Sequence, residues 1–209
     1  MDLFSIKKVY LVGIKGSGLS ALACILKSFG IKVVGSDTKE KFFTDEVLKR
    51  EKIKFYEGFN GKNLKKELPI DIVITSVAYL KTQTYADYTQ TYADNLSDNP
   101  EINLAQKLNI PLLTYPQALA QIFNQSFGIA ICGSHGKSST TAILGKIFKD
   151  AGYDPTVLVG SEVIDWKSNA LVSKNFKKKI EFLRRNENKL KNLNWLRKNL
   201  KNLPIFIIE

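Results

Sequence analysis

Two glycine-rich stretches carry the residues with the most chemical meaning. Gly133-Ser134-His135-Gly136-Lys137-Ser138-Ser139 follows the apolar run Phe127–Cys132 and opens a helical pattern. At such a junction glycines let backbone N–H groups turn toward an anion at a helix N-terminus. A lysine there reaches the outer phosphates of a nucleotide, and a following hydroxyl ligates Mg²⁺. The spacing departs from the general phosphate-loop pattern, because Gly133 lies only three residues before Gly136. The other stretch, Gly13-Ile14-Lys15-Gly16-Ser17-Gly18-Leu19-Ser20-Ala21, follows Lys8–Val12 and reads G-x-G-x-x-A from Gly16. Asp37 comes 19 residues after Gly18, close to the offset of about 20 at which an acidic residue bonds a ribose. On these residues alone NAD stays open, and so does a generic phosphate-loop kinase. Two such loops in one chain suggest two different nucleotides.

The elements that must hold these loops alternate strand and helix, the pattern of a parallel sheet flanked by helices. Strands are expected at Lys8–Val12, Ile31–Val34, Lys52–Tyr56, Asp71–Thr75 and Ile110–Thr114. Leu19, Leu22, Ala23, Leu26 and Phe29 repeat at helical spacing up to a stop at Gly30. A helix over Thr44–Glu51 has Thr44 as its expected N-cap. Tyr115-Pro116 reads as a linker into a second unit. That unit has a helix at Gln117–Phe123, a buried strand at Phe127–Cys132, a helix from Lys137 to Ala151 and a short strand at Thr156–Val159.

Composition bounds the rest. The 209 residues are 44% hydrophobic and 24% charged, a globular mixture. No apolar run reaches the roughly 20 residues a membrane helix needs. The start is too poor in apolar residues for a secretory leader, so a cytoplasmic location is expected. Cys24 and Cys132 lie 108 positions apart in apolar segments and are expected as small core residues, not a disulfide or metal site. Most of the net charge of +11 belongs to one segment: residues 174–201 hold eleven Lys or Arg against Glu181 and Glu187. With Phe176, Ile180, Leu183, Leu190, Leu193, Leu196, Leu200 and Leu203 at helical intervals, it reads as an amphipathic helical insertion with a solvated face. Contact with nucleic acid or an anionic membrane is the competing use of those cations. Thr82–Tyr88 is repeated at once by Thr89–Asn95, identical in six of seven positions, a duplication expected in a surface loop.

Taken together and in this order, the two loops resemble those of the Mur ligase family of peptidoglycan synthesis. The likeness begins at Val12–Ala23 and continues through Gly35-Ser36-Asp37, Thr75-Ser76-Val77-Ala78 and Asp98-Asn99-Pro100-Glu101. It extends over Gly133–Thr141 to Val159-Gly160, covering about residues 5–172. His135 before Gly136-Lys137 is similar to the branches that add L-alanine or recycle muropeptides. The resemblance implies an α/β chain: a Rossmann-like parallel-sheet domain over 1–115 that binds the UDP-substrate, then a truncated phosphate-loop ATPase domain over 116–209. The basic helical insertion would occupy about 174–203. It implies that Gly16, Ser17, Gly18, Leu19, Ser20, Asp37 and Ser76 hold a UDP-N-acetylmuramate-type substrate. Gly133, Ser134, His135, Gly136, Lys137, Ser138 and Ser139 would bind ATP, with Lys137 acting on the transferred phosphoryl group. Ser138 would ligate Mg²⁺, together with Glu209, since Pro204–Glu209 resembles the start of the family's acidic motif. The implied reaction is ATP-dependent ligation of an amine to a carboxylate through an acyl phosphate, and NAD then drops out. Because the family's amine-binding domain has no counterpart in these residues, the chain as written is expected to bind substrate without completing ligation. Two positions depart from the family pattern: Lys15 stands where a glycine is usual, and Phe59 where histidine is frequent.

Overall fold

The computed structural model describes residues 2–80 and 97–209, so the duplicated heptads lie outside the described residues. Five parallel strands form the first sheet: β1 (Lys8–Val12), β2 (Lys32–Asp37), β3 (Lys54–Glu57), β4 (Ile72–Thr75) and β5 (Leu112–Thr114). Their order is β3-β2-β1-β4-β5. The winding reverses between β1 and β4, and such a reversal opens a crevice beyond the carboxyl ends of the strands. Helices α1 (Ser17–Ser28), α2 (Phe43–Arg50), α3 (Gly61–Lys66), α4 (Pro100–Lys107) and α5 (Tyr115–Phe123) make the connections and cover both faces. Val9, Leu11, Ile72 and Ile74 pack on the α1 side, while Tyr10, Val12, Val34 and Val73 pack with Leu64 of α3 and Ile102 of α4. Burial on both faces explains why the strands read as unbroken apolar runs.

The motif Asn99-Pro100-Glu101 starts α4. The Asn99 side chain accepts the Glu101 N–H at 2.9 Å, and Pro100 fills the first turn, where its missing N–H is harmless. The Glu101 carboxylate is fully buried and takes hydrogen bonds from Tyr10 (3.0 Å), Asn63 (3.1 Å), the Asn60 backbone (3.1 Å) and Ser36. It ties α4 to β1, β2 and the turn before α3.

A second sheet follows, made of β6 (Phe127–Ala130), β7 (Thr156–Val163), β8 (Ser168–Leu171) and β9 (Ile205–Ile208) in the order β6-β9-β7-β8. β6, β9 and β7 run parallel, and β8 is antiparallel to β7. Alternation splits its side chains between two layers. Val157, Val159, Ile205 and Ile207 face α6 (Lys137–Asp150), whereas Leu158, Ala170 and Phe206 join the core around α1, α5 and α7 (Phe176–Arg185). Helix α1 therefore lies between the sheets and touches β2 on one side and β7 and β8 on the other. Its residues Leu19 to Leu26 are all buried.

Several expectations are corrected by this arrangement. Thr44 sits inside α2, where its hydroxyl donates to the Lys15 carbonyl at 2.5 Å; the Asp45 carboxylate accepts the Phe42 N–H at the helix start instead. Tyr115-Pro116 forms the first turn of α5, capped by Thr114 and Gln117 reciprocally, so this helix starts two residues before the expected Gln117. The strand at Phe127 stops at Ala130 and is largely exposed, because β6 is the edge of its sheet; Cys132 in the loop beyond it is exposed, while Cys24 is buried as expected. β7 runs on to Val163. The basic segment is not one helix: α7 ends at Arg185, and Asn192 caps a separate α8 (Leu193–Asn199). Only Phe176 and Ile180 of α7 enter the core, and Leu193 stays 73% exposed. The asparagines that interrupt the leucine spacing bond the backbone and break the helix there.

Candidate functional site

Beyond the carboxyl ends of β1, β2 and β4 lies a cavity of about 660 Å³. Of the residues expected to hold the UDP-substrate, Gly16, Ser17, Gly18, Leu19, Asp37 and Ser76 all line it. Ser20 does not: it is fully buried behind the loop, its hydroxyl donating to the Ser17 carbonyl at 2.9 Å and accepting from Asn169 of β8 at 3.1 Å. Asn169 also donates to the Ser17 carbonyl, so the second sheet holds the start of α1 directly. Asp37 accepts the Lys15 N–H at 2.6 Å and the Thr38 N–H at 2.7 Å, which fixes its carboxylate at the end of β2. Ser76 accepts the Ala78 N–H at 3.4 Å and caps the short turn after β4. Sequence reasoning missed the aromatic walls, Phe42, Phe43, Tyr79 and Tyr115, because they come from three places in the chain with no shared spacing. A tyrosine directly before a first-turn proline was the one local hint.

Lys15 settles its own question. Its backbone carries the loop, but its ammonium group is buried away from solvent and pairs with Asp45 at 3.0 Å. It also donates to the carbonyls of Thr38 (3.0 Å) and Glu40 (2.8 Å). All three protons of the ammonium therefore have acceptors, and the segment after β2 is strapped to the glycine loop. An ammonium so engaged serves the shape of the cavity, not the charge of a ligand inside it.

The loop between β6 and α6 has the features a phosphate cradle needs. Gly133 and Gly136 have φ of +155° and +76°, a region where a side chain would be strained. Gly136 precedes Lys137, the first residue of α6, and Lys137 folds back to donate to the Gly133 carbonyl at 2.9 Å. Ser134 and His135 are exposed in the loop. Ser138 and Ser139 line a separate cavity of about 370 Å³ with Glu162, Asp165 and Trp166. Glu209 directly follows the neighbouring strand: Ala130 of β6 pairs with Ile208 of β9, which places the start of the loop and the carboxylate at the same end of the sheet. One Glu209 oxygen accepts the Gly160 N–H, and the other is buried without a partner. Among the described residues no cluster of three or more His, Cys, Asp or Glu could hold a metal unaided. A hydroxyl, one carboxylate and phosphate oxygens are the donor set Mg²⁺ takes, so the residues fit that ion.

The cations of the basic segment are partly engaged within the chain. Lys177 donates to the Phe29 carbonyl (3.3 Å), Lys179 to those of Tyr153 (2.6 Å) and Asp154 (3.3 Å), and Arg184 to Asp2 at 3.1 Å. Among the described residues no helix is long and apolar enough to cross a membrane.

Comparison with known proteins places the chain in a family. The profile described as "Mur ligase family, catalytic domain" matches residues 8–127, more than half the chain. The UDP-N-acetylmuramate–L-alanine ligase of Borreliella burgdorferi is 39% identical over 174 residues, which are 83% of this chain and 34% of that protein. The protein of the same name from Desulfitobacterium hafniense is 39% identical over 163 residues, 78% of this chain and 32% of its own. The chain thus spans about a third of the length of the curated relatives it matches. Among solved structures, UDP-N-acetylmuramate–alanine ligase from Thermotoga maritima superposes with a TM-score of 0.64 and 26% identity, over 80% of this chain and 35% of that one. A UDP-N-acetylmuramate:L-alanyl-γ-D-glutamyl-meso-diaminopimelate ligase from Neisseria meningitides gives a TM-score of 0.68 over 98% of this chain and 52% of that one. At 21% identity it speaks for the fold alone. With the parallel sheet, the two glycine loops and the family profile in agreement, this chain belongs to the Mur ligase family.

Proposed function

We propose that residues 1–115 bind UDP-N-acetylmuramate and that residues 116–209 open the ATP site of a cytoplasmic ligase joining L-alanine to it. The observation that carries this reading is the cavity itself, which gathers Gly16, Ser17, Gly18, Leu19, Asp37 and Ser76 at the winding reversal of the first sheet. The choice of L-alanine over a peptide amine rests on the relatives at 39% identity. In this reading the backbone N–H groups of Gly133–Gly136 wrap the phosphates of ATP, and Lys137 leaves the Gly133 carbonyl to neutralise the β- and γ-phosphoryl oxygens. Ser138 and Glu209 would hold Mg²⁺, which supplies further neutralisation of that charge. The muramoyl carboxylate takes the γ-phosphoryl group and ADP leaves; the amine attacks the acyl phosphate, and phosphate departs as the amide forms. The product feeds peptidoglycan synthesis, and through it cell-wall growth, shape and division. Titration calorimetry tests the first step: heat is expected with UDP-N-acetylmuramate and UDP, and none with NAD. Heat with NAD alone would return the first loop to a dinucleotide.

A further inference from the structure

One wall of the substrate cavity is built neither by the glycine loop nor by Asp37. Tyr115, the first residue of α5, lies across the backbone of Gly18. A methyl group added to Gly18 would sit 2.6 Å from Tyr115 Cζ and 2.8 Å from its hydroxyl oxygen, so only glycine lets the ring come this close. The ring packs against the core around α1, and Gly160 of the second sheet lines the same cavity. Tyr115 is thus seated at the first turn of α1, where backbone N–H groups have no intrahelical acceptor. Its own hydroxyl has no hydrogen-bond partner among the described residues. Burial, and then the nearby Glu209 carboxylate, push the phenol up to about 12. At neutral pH it is therefore a neutral donor on the cavity wall, free to be offered to a molecule bound there.

We infer that Tyr115 donates its hydroxyl proton to the diphosphate of the nucleotide held in this cavity, beside the N–H groups at the start of α1. The inference rests on the reading of the cavity as a UDP-substrate site. It adds a residue from outside both glycine loops, and it divides the cavity into a nucleoside end at Asp37 and a diphosphate end at Gly18 and Tyr115.

Calorimetry on the 209-residue chain and its Tyr115→Phe variant, with UDP and with uridine as probes, tests it. The variant keeps the ring, so its thermal midpoint should match the parent. A lost hydrogen bond to a charged acceptor should weaken UDP by roughly 10- to 100-fold, while uridine, which has no phosphates, binds the two proteins alike. Equal UDP affinity in the two proteins, or equal losses on UDP and uridine, would overturn the inference while the UDP reading stands. A parent chain that binds neither probe would overturn that reading and this inference with it.

Discussion

Lys15 offers a perturbation whose size follows from the structure. Replacing it by methionine keeps the stem that packs in the loop and removes the ammonium. The side chains of Lys15 and Asp45 are 0% and 8% exposed, so the variant leaves a carboxylate in the interior with only the Phe42 N–H to satisfy it. Breaking a buried pair from one side is destabilising by about 3–5 kcal/mol. The carbonyls of Thr38 and Glu40 lose their donor as well, but these bonds are only part-buried and water can replace it. For a chain of this length each kcal/mol moves the melting midpoint by roughly 2–4 °C, so the product is a fall of about 6–20 °C. Thermal melting and urea unfolding of Lys15→Met, Asp45→Leu and the double variant would measure the midpoint shift and the free energy behind it. The double variant should be less destabilised than the two single losses summed, by at least about 1 kcal/mol, since removing both charges leaves none stranded. Additive losses, or a single variant that shifts the midpoint by less than 2 °C or so, would refute the view of Lys15 as a buried strap.

Two further outcomes follow from groups described above or beside them. A thiol reagent should modify Cys132 within minutes and spare Cys24, whose thiol burial pushes up to about 12, with the Glu51 carboxylate adding to it. Cys132→Ser should then titrate as zero fast thiols by Ellman's reaction, and rapid loss of two thiols from the folded parent would contradict the burial of α1. Glu67 concerns acid stability: burial raises its carboxyl, but hydrogen bonds from Lys54 (2.6 Å), Lys8 (2.9 Å) and Tyr56 (2.8 Å) outweigh this and bring it down to about 2. Its folded value lies below the ordinary 4.5, so its stabilisation is complete above that pH and is lost as the pH falls toward 2. Urea midpoints should drop more steeply across that window in the parent than in Glu67→Gln, and parallel curves would count against the assignment.

Sequence reasoning located the first sheet because its strands are buried on both faces. Lys8–Val12 was legible residue for residue, and the other four strands within two residues at each end apart from β2, which runs on through Gly35-Ser36-Asp37. Those small and polar residues look like loop but pair with Leu11, Val12 and β3. Helix α3, GKNLKK, was invisible since Leu64 is its only apolar side chain, and β8, SNAL, since an edge strand needs no apolar run. The site divided along the same line. The residues of the first glycine loop that line the cavity, Gly16 to Leu19, could be named from their place after a strand, whereas Tyr115, Tyr79 and Phe42 reach it only through the packing of α5, the turn after β4 and the strap after β2. The basic segment misled because leucine spacing says nothing about where asparagine side chains will take the backbone's hydrogen bonds.

Helix α1, enclosed by both sheets, should couple the two halves of the chain into a single cooperative unit. Its amides should exchange with solvent only through global opening, more slowly than those of α6, whose Ile143 and Ile147 are exposed. A polypeptide cut after residue 115 would keep every residue of the glycine loop yet leave one apolar side of that helix in water, without Asn169 on Ser17. A cut at the functional division is therefore expected to loosen the loop that would read the substrate, because Asn169 of the other half bonds the start of α1.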